Sequence, residues 1–201
     1  MIRVVLVDDH PLAINGIGAW LDAAGRFTIA GTAGTAAGAR ELLESLDPLP
    51  DLVILDIALG GENGLAVIPA LKETARKRKA PLPGIVVCSM YEDPFLVQSA
   101  FDAGAGAYVA KSADIREIVT AIDAVLAGET YANPAYETPA RQWASAGLSA
   151  REREIAAMVK RSLSNKQIAV KLGISIRTVE NHLSHIYVKT NTYSRNELAE
   201  L

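Results

Sequence analysis

The chain has 201 residues, half of them hydrophobic and 21% charged, which fits a soluble protein of one or two globular domains. It contains no apolar run long enough to span a membrane and no signal peptide before its first predicted strand. Its single cysteine, Cys88, excludes an intramolecular disulfide, and together these features point to the cytoplasm. The net charge of −3 conceals an asymmetry: residues 148–201 hold nine Lys and Arg against five Asp and Glu, a net of +4, which leaves −7 before them. An acidic first part joined to a basic last part predicts two domains with different partners, the basic one suited to nucleic acid.

The chain opens MIRVVLVDDHP. Ile2–Val7 is rich in β-branched residues and reads as a buried strand, with Pro11 marking the start of a helix over about Leu12–Ala23. Asp8 and Asp9 then stand side by side where the strand ends. Either a bound cation offsets their repulsion, or the pair belongs to a solvated turn. Further along come a strand at Phe27–Ala30, a helix at Ala36–Leu46 with Thr35 as N-cap, and a strand at Leu52–Leu55. A helix at Leu65–Arg76 runs into RKRK, read as a solvated helix end. The strand Ile85–Cys88 makes Cys88 a small buried residue rather than a nucleophile. Asp93-Pro94 caps a fourth helix, Ala107–Ala110 is the fifth strand, and Ile115–Leu126 is a helix that stops at Gly128. This alternation predicts an α/β fold, a five-stranded doubly wound parallel sheet with helices on both faces.

Residues 128–146 hold two prolines and many small residues without periodicity, and read as a linker. Beyond them the pattern is wholly helical. Ser149-x-x-Glu152, Ser164-x-x-Gln167 and Ser194-x-x-Glu197 have capping-box spacing, and Ser175 caps a further helix with Thr178 at the box position. Four helices follow, at about 150–161, 165–172, 176–190 and 195–201. The second and third, joined by a turn at Gly173, have the helix-turn-helix arrangement.

Open parallel sheets bind ligands at the carboxyl ends of their strands. Asp8 and Asp9 end the first predicted strand, Asp56 the third, Ser89 the fourth and Lys111 the fifth. Magnesium prefers oxygen ligands and usually takes one or two carboxylates plus a phosphate. Asp8, Asp9 and Asp56 can surround such a cation. Asp56 can also act as a nucleophile that forms an acyl phosphate. Lys111 would offset charge on a transferring phosphoryl group, and Ser89 would hydrogen-bond it once attached. Tyr108, three residues before Lys111, is an aromatic able to move between exposed and buried positions.

These residues carry a resemblance. The Asp8-Asp9 pair, Asp56, Gly64, Ser89, the AGA stretch before Tyr108, and Lys111 resemble the receiver domain of two-component response regulators of the NarL/FixJ type. LSAREREIAAMVKRSLSNKQIAVKLGISIRTVENHLSHIY resembles the LuxR-type helix-turn-helix. The resemblance implies a flavodoxin-like receiver domain over residues 1–127, a linker over 128–146 and an all-α four-helix DNA-binding domain over 147–201. It implies that Asp56 accepts a phosphoryl group from a cognate sensor histidine kinase. Asp9 and Asp56 would ligate Mg²⁺ (or Mn²⁺) directly, Asp8 directly or through water, and the backbone carbonyl of Ala58 would complete the protein ligands. The chain would be no enzyme beyond its own phosphotransfer and dephosphorylation.

Two positions depart from the family pattern. Gly60 stands where Pro is usual, and Ser112 where many receivers carry Pro. Tyr91 occupies a position thought to tune dephosphorylation, where a bulky side chain would hinder attacking water.

In the basic domain the resemblance places Glu180, Asn181 and Ser184 at base-facing positions of the recognition helix, about 176–190. Lys166, Arg177, Thr178 and Lys189 are candidates for phosphate contacts. Ile168, Leu172, Val179, Leu183 and Ile186 form the expected core. A single small helix-turn-helix binds weakly, so a homodimer formed on activation is expected to engage a double-stranded DNA operator. Two other readings compete. A Mg²⁺-dependent phosphohydrolase would usually carry Asp-x-Asp on the nucleophile's strand, whereas the chain has Asp56-Ile57-Ala58. The other is a DNA-binding regulator whose receiver is not phosphorylated.

Overall fold

The structure, a computed structural model, describes residues 1–92, 94–133 and 147–200. The Asp93 N-cap and most of the expected linker, Trp143 included, lie outside the described residues. The N-terminal strands are β1 (Ile2–Val7), β2 (Phe27–Ala33), β3 (Leu52–Leu55), β6 (Gly84–Ser89), β7 (Ala107–Ala110) and β8 (Tyr131–Ala132), all parallel, in the order β2-β1-β3-β6-β7-β8. Five match the expected strands. The sixth, β8, falls in the span expected to be linker, where its two residues pair with Ala107 and Tyr108. Two residues are too few to show any alternation.

The apolar strands bury both faces. Val5, Val7, Val53, Leu55, Ile85, Val87 and Tyr108 pack under α2 (Ala36–Ser45), α3 (Val67–Arg78) and α4 (Pro94–Ala103). Val4, Leu6, Leu52, Ile54, Val86, Cys88 and Val109 pack under α1 (Pro11–Ala23) and α5 (Ile115–Leu126). Such two-sided burial is why these strands read as continuous apolar runs. Thr35 caps α2 by accepting from Gly38 N–H, and Asp114 caps α5 by accepting from Arg116 N–H. The basic run at 76–79 closes α3. Arg76 bonds Glu73, and Arg78 donates to the carbonyls of Glu44 and Leu46, so these charges serve the helix end.

Between Asp56 and α3 lies a feature the sequence pattern did not announce. Ala58–Leu59 (β4) and Glu62–Asn63 (β5) form a small antiparallel hairpin, with Gly60 and Gly61 as its turn at φ of 60° and 99°. A two-residue turn with positive φ at both positions favours glycine, asparagine and aspartate, and two glycines adopt it without steric cost. A short 3₁₀ turn, Gly64–Ala66, then leads into α3.

The C-terminal unit comprises α6 (Ala150–Lys160), α7 (Asn165–Leu172), α8 (Ile176–Thr190) and α9 (Arg195–Glu200). Complete capping boxes start α6 and α7. At α9 only half the box forms: Glu197 N–H donates to Ser194 Oγ, but the Glu197 carboxylate accepts from Tyr193 N–H instead. Gly173 turns α7 into α8 at φ 63°. Ile168, Val179, Leu183 and Ile186 are buried in one cluster with Ile155 and Leu198, and Leu172 packs at its edge. Among the described residues, no helix is long and apolar enough to cross a membrane.

Candidate phosphoacceptor and DNA-recognition sites

The parallel register brings the strand ends together. Val7 pairs with Leu55, Leu55 with Val87, and Ser89 with Ala110, so the residues that follow share one rim. Asp56 N–H donates to the Val7 carbonyl at 2.8 Å and Lys111 N–H to the Ser89 carbonyl at 2.7 Å, which extends the ladder into the site. Asp8 and Asp56 are buried there, and Lys111 Nζ lies 2.5 Å from Asp8 Oδ2 and 2.6 Å from Asp56 Oδ2. Burial holds the Asp56 carboxyl above its ordinary range, with Lys111 opposing the shift. Burial works against the Lys111 charge, but the two carboxylates hold its pKa above the ordinary value.

Asp9 is half-buried. Its Oδ2 accepts from Gly60 N–H at 2.9 Å. Its Oδ1 is buried, with His10 Nδ1 2.8 Å away. Ligand atoms of Asp8, Asp9, His10 and Asp56 all lie within 4.8 Å of one another. Three carboxylates gathered at one rim, with an imidazole beside them, fit a hard divalent cation that takes oxygen ligands. Ala58 N–H donates to Asp56 Oδ1 at 3.3 Å, which places the Ala58 backbone beside the cluster.

Ser89 is fully buried, and its Oγ accepts from Tyr91 N–H at 3.4 Å. Tyr108 is fully buried too, donating to the Tyr91 carbonyl at 2.6 Å. Tyr91 is buried with its phenol toward Ser184, Glu180 and Arg177, and burial pushes its pKa up to about 12. Burial likewise pushes the Cys88 thiol up to about 12, as suits an inert core residue.

The DNA candidates divide. Lys166 and Arg177 are exposed, and Thr178 is half-buried with its hydroxyl 2.7 Å from Ser175 Oγ at the start of α8. Glu180 and Asn181 are half-buried, Ser184 is buried, and the Asn181 Oδ1 is buried without a partner. The reason is that α8 packs on the N-terminal unit against α4 and over the acidic rim. Arg177, Glu180, Leu183, Ser184 and Tyr187 form one wall of a cavity of about 690 Å³ whose other walls include Asp9, Asp56 and Lys111. Tyr187 Oη–H donates to the Gly61 carbonyl at 2.8 Å, and Asn63 N–H to the Tyr193 carbonyl at 3.1 Å.

Lys189 departs from the expected phosphate contact: its ammonium is buried against both oxygens of Glu152, at 2.9 and 3.0 Å. A charge neutralised inside its own domain is committed to that fold. Sequence reasoning also missed the roles of Gly61, Tyr187 and Tyr193, which act through contacts more than 120 residues apart along the chain.

Comparison with known proteins agrees with this division. Residues 4–123 match the response regulator receiver domain, and residues 146–201 match bacterial regulatory proteins of the luxR family. The chain is 32% identical over 192 residues to the transcriptional regulatory protein MctR of Rhizobium johnstonii, covering 94% of this chain and 86% of that protein. It is 31% identical over 206 residues to the nitrate/nitrite response regulator NarL of Escherichia coli K12, covering 98% and 92%. Among solved structures it resembles the response regulator ChrA of a heme-sensing two-component system, with a TM-score of 0.53, 29% identity and coverage of 99% and 94%. The RcsB response regulator of Salmonella typhimurium shares the fold, with a TM-score of 0.56, 21% identity and coverage of 99% and 96%. The chain therefore belongs to the NarL/FixJ family of two-component response regulators, DNA-binding regulators that join a receiver to a LuxR-type helix-turn-helix domain.

Proposed function

We propose that Asp56 is the phosphoacceptor, charged by a cognate sensor histidine kinase, and that its phosphorylation releases α8 to bind an operator as a homodimer. The observation that carries this reading is the buried Asp56 carboxylate, held 2.6 Å from Lys111 within the Asp8–Asp9 cluster. In the transfer the phosphohistidine P–N bond breaks as a P–O bond to Asp56 forms. Lys111 stabilises negative charge on the phosphoryl oxygens. Asp8, Asp9, Asp56 and the Ala58 carbonyl would hold Mg²⁺ or Mn²⁺, which supplies further charge neutralisation. The Ser89 hydroxyl, at the carboxyl end of β6, is the group to bond the attached phosphoryl, and the Tyr108–Tyr91 bond is the neighbour that would respond.

On the DNA side, Ser184 is buried and Arg177 and Glu180 face the receiver in this arrangement, so α8 cannot lie in a major groove without leaving it. Lys166 and Arg177 then contact phosphates, while Glu180, Asn181 and Ser184 face bases; Thr178 joins the phosphate contacts at the α8 start. A regulator of chromosomal DNA works in the cytoplasm. Beyond its own phosphotransfer and dephosphorylation the chain carries out no catalysis. Domain limits of 1–127 and 147–201 serve this reading, with β8 attaching the first part of the linker to the receiver.

The test is size-exclusion with light scattering, before and after treatment with acetyl phosphate and Mg²⁺. Wild type should shift toward dimer and Asp56→Asn should not. A dimer shift of equal size in both would refute the role of Asp56.

A further inference from the structure

His10 stands at the N-cap position of α1, yet its side chain makes no capping hydrogen bond. Helices are capped best by Ser, Thr, Asp or Asn, and α1 starts instead on Pro11, whose φ is already helical. Residue 10 is held by the acidic cluster: its backbone N–H donates to Asp8 Oδ1 at 2.8 Å. With the backbone so fixed, the imidazole Nδ1 lies 2.8 Å from Asp9 Oδ1 and 3.4 Å from Asp8 Oδ1. The ring is two-thirds exposed and lines the cavity over the rim. We propose that His10 is a nitrogen ligand of the divalent cation, and that it tunes the site from magnesium toward cations that accept imidazole, of which manganese, cobalt and zinc are the candidates. The proposal rests on the reading of Asp8, Asp9 and Asp56 as a metal site and names the class of metal it takes.

The donor set gives the direction. Neighbouring ligand atoms around an octahedral cation with bonds of about 2.0–2.1 Å lie about 2.9 Å apart. The 2.8 Å between His10 Nδ1 and Asp9 Oδ1 is an edge of that length. The opposite oxygens of the cluster are already engaged. Lys111 Nζ lies against Asp8 Oδ2 and Asp56 Oδ2, and Gly60 N–H donates to Asp9 Oδ2. Asp9 therefore turns its other oxygen to the imidazole. A site of carboxylates, a carbonyl and water suits magnesium, whereas one imidazole added to it favours first-row transition cations in the order manganese, cobalt, zinc. The competing role for the same geometry is a hydrogen bond from Nδ1–H to Asp9, which puts no nitrogen on a bound metal.

Electron spin-echo spectroscopy of the full, unphosphorylated chain loaded with one equivalent of Mn²⁺ separates the two roles. A coordinated imidazole imprints a nitrogen modulation on the Mn²⁺ echo, and oxygen ligands do not. Wild type should show the modulation, and His10→Ala should bind Mn²⁺ without it. The exposed ring is not part of the core, so this variant keeps the fold. In parallel calorimetric titrations, His10→Ala should bind Co²⁺ about ten-fold more weakly or worse, since loss of an outer-shell partner alone costs that much. Its Mg²⁺ affinity should stay within about two-fold of wild type, because water replaces the imidazole on that cation. Wild type that holds Mn²⁺ with no nitrogen modulation would overturn the role of His10 and leave the carboxylate site standing. A modulation that persists in His10→Ala would assign the nitrogen to another residue and overturn it equally. Wild type that binds no Mn²⁺ would overturn both the ligand and the metal site. If the modulation behaves as described while acetyl phosphate and Mg²⁺ add no phosphoryl group, His10 stands as a ligand and the phosphoacceptor reading falls.

Discussion

The ammonium of Lys111 lies 2.6 Å from the carboxylate of Asp56, and the same nitrogen lies 2.5 Å from Asp8, so one cation neutralises two buried anions. Removing it with Lys111→Met leaves two like charges close together in a water-poor site. The receiver should lose about 3 kcal/mol in urea unfolding at neutral pH, the usual cost of stripping one partner from a buried pair. A Lys111→Met, Asp56→Asn double variant should recover much of that loss.

Asp56 also predicts a pH slope. Its carboxyl is raised above the model-compound value of 3.8, chiefly by burial, so the folded state binds this proton more tightly than the unfolded state does. The Asp56 contribution to stability is therefore fully present below about 3.8 and is lost as pH rises from there through the raised folded value. Asp56→Asn should flatten that part of the stability–pH profile and be the more stable protein at neutral pH. Chemical denaturation across pH 4–8 checks this.

Glu152 has the opposite sign. Burial opposes its charge, but the bonds from Lys189 and Ser149 hold its pKa below 4.5. Its contribution is present above the unfolded value near 4.5 and is lost as pH falls through the lower folded value. Glu152→Ala removes the carboxylate that accepts from Lys189 and also removes half of the α6 capping box, so it should destabilise the helical domain by about 2 kcal/mol at pH 7. Thermal unfolding followed by circular dichroism reads both effects.

Gly64 admits no side chain. A Cβ there would sit 1.9 Å from the Asp56 carbonyl oxygen, because Gly64 N–H donates to the Ile57 carbonyl at 2.6 Å and draws the two backbones together. Gly64→Ala must displace the segment that carries Asp56. A loss of about 3 kcal/mol or more is expected, with a phosphorylation rate reduced even in the fraction that remains folded.

Tyr108→Phe deletes the hydroxyl that donates to the Tyr91 carbonyl at 2.6 Å and leaves a buried carbonyl without that donor. The expected cost is about 1 kcal/mol, read as a lower urea midpoint with unchanged slope.

What was legible in the sequence was what repeats locally. Val4–Val7, Leu52–Leu55 and Val86–Cys88 are apolar because both sheet faces are covered, and the residue just past each such run falls on the rim by topology alone. Ser149, Ser164 and Ser175 announce their helices because a cap is a contact three residues long. The two-residue strands β4, β5 and β8 carry no period to read. Lys189 shows its charge in the sequence, while its partner Glu152, 37 positions away, has no local sign. Tyr187 shows the same limit over 126 positions: a core-facing tyrosine gives no local sign that its hydroxyl crosses to another domain. The Gly60–Gly61 pair did mark the place, as a departure in the very loop that meets the recognition helix.

The measurement that bears most directly on the account is the intact mass of the full chain after incubation with acetyl phosphate and Mg²⁺, with Asp56→Asn treated alongside. The account predicts one added phosphoryl group on wild type, none when Mg²⁺ is chelated, and none on Asp56→Asn. A folded wild type that gains no phosphoryl group, or an Asp56→Asn variant that gains one as readily, would contradict it.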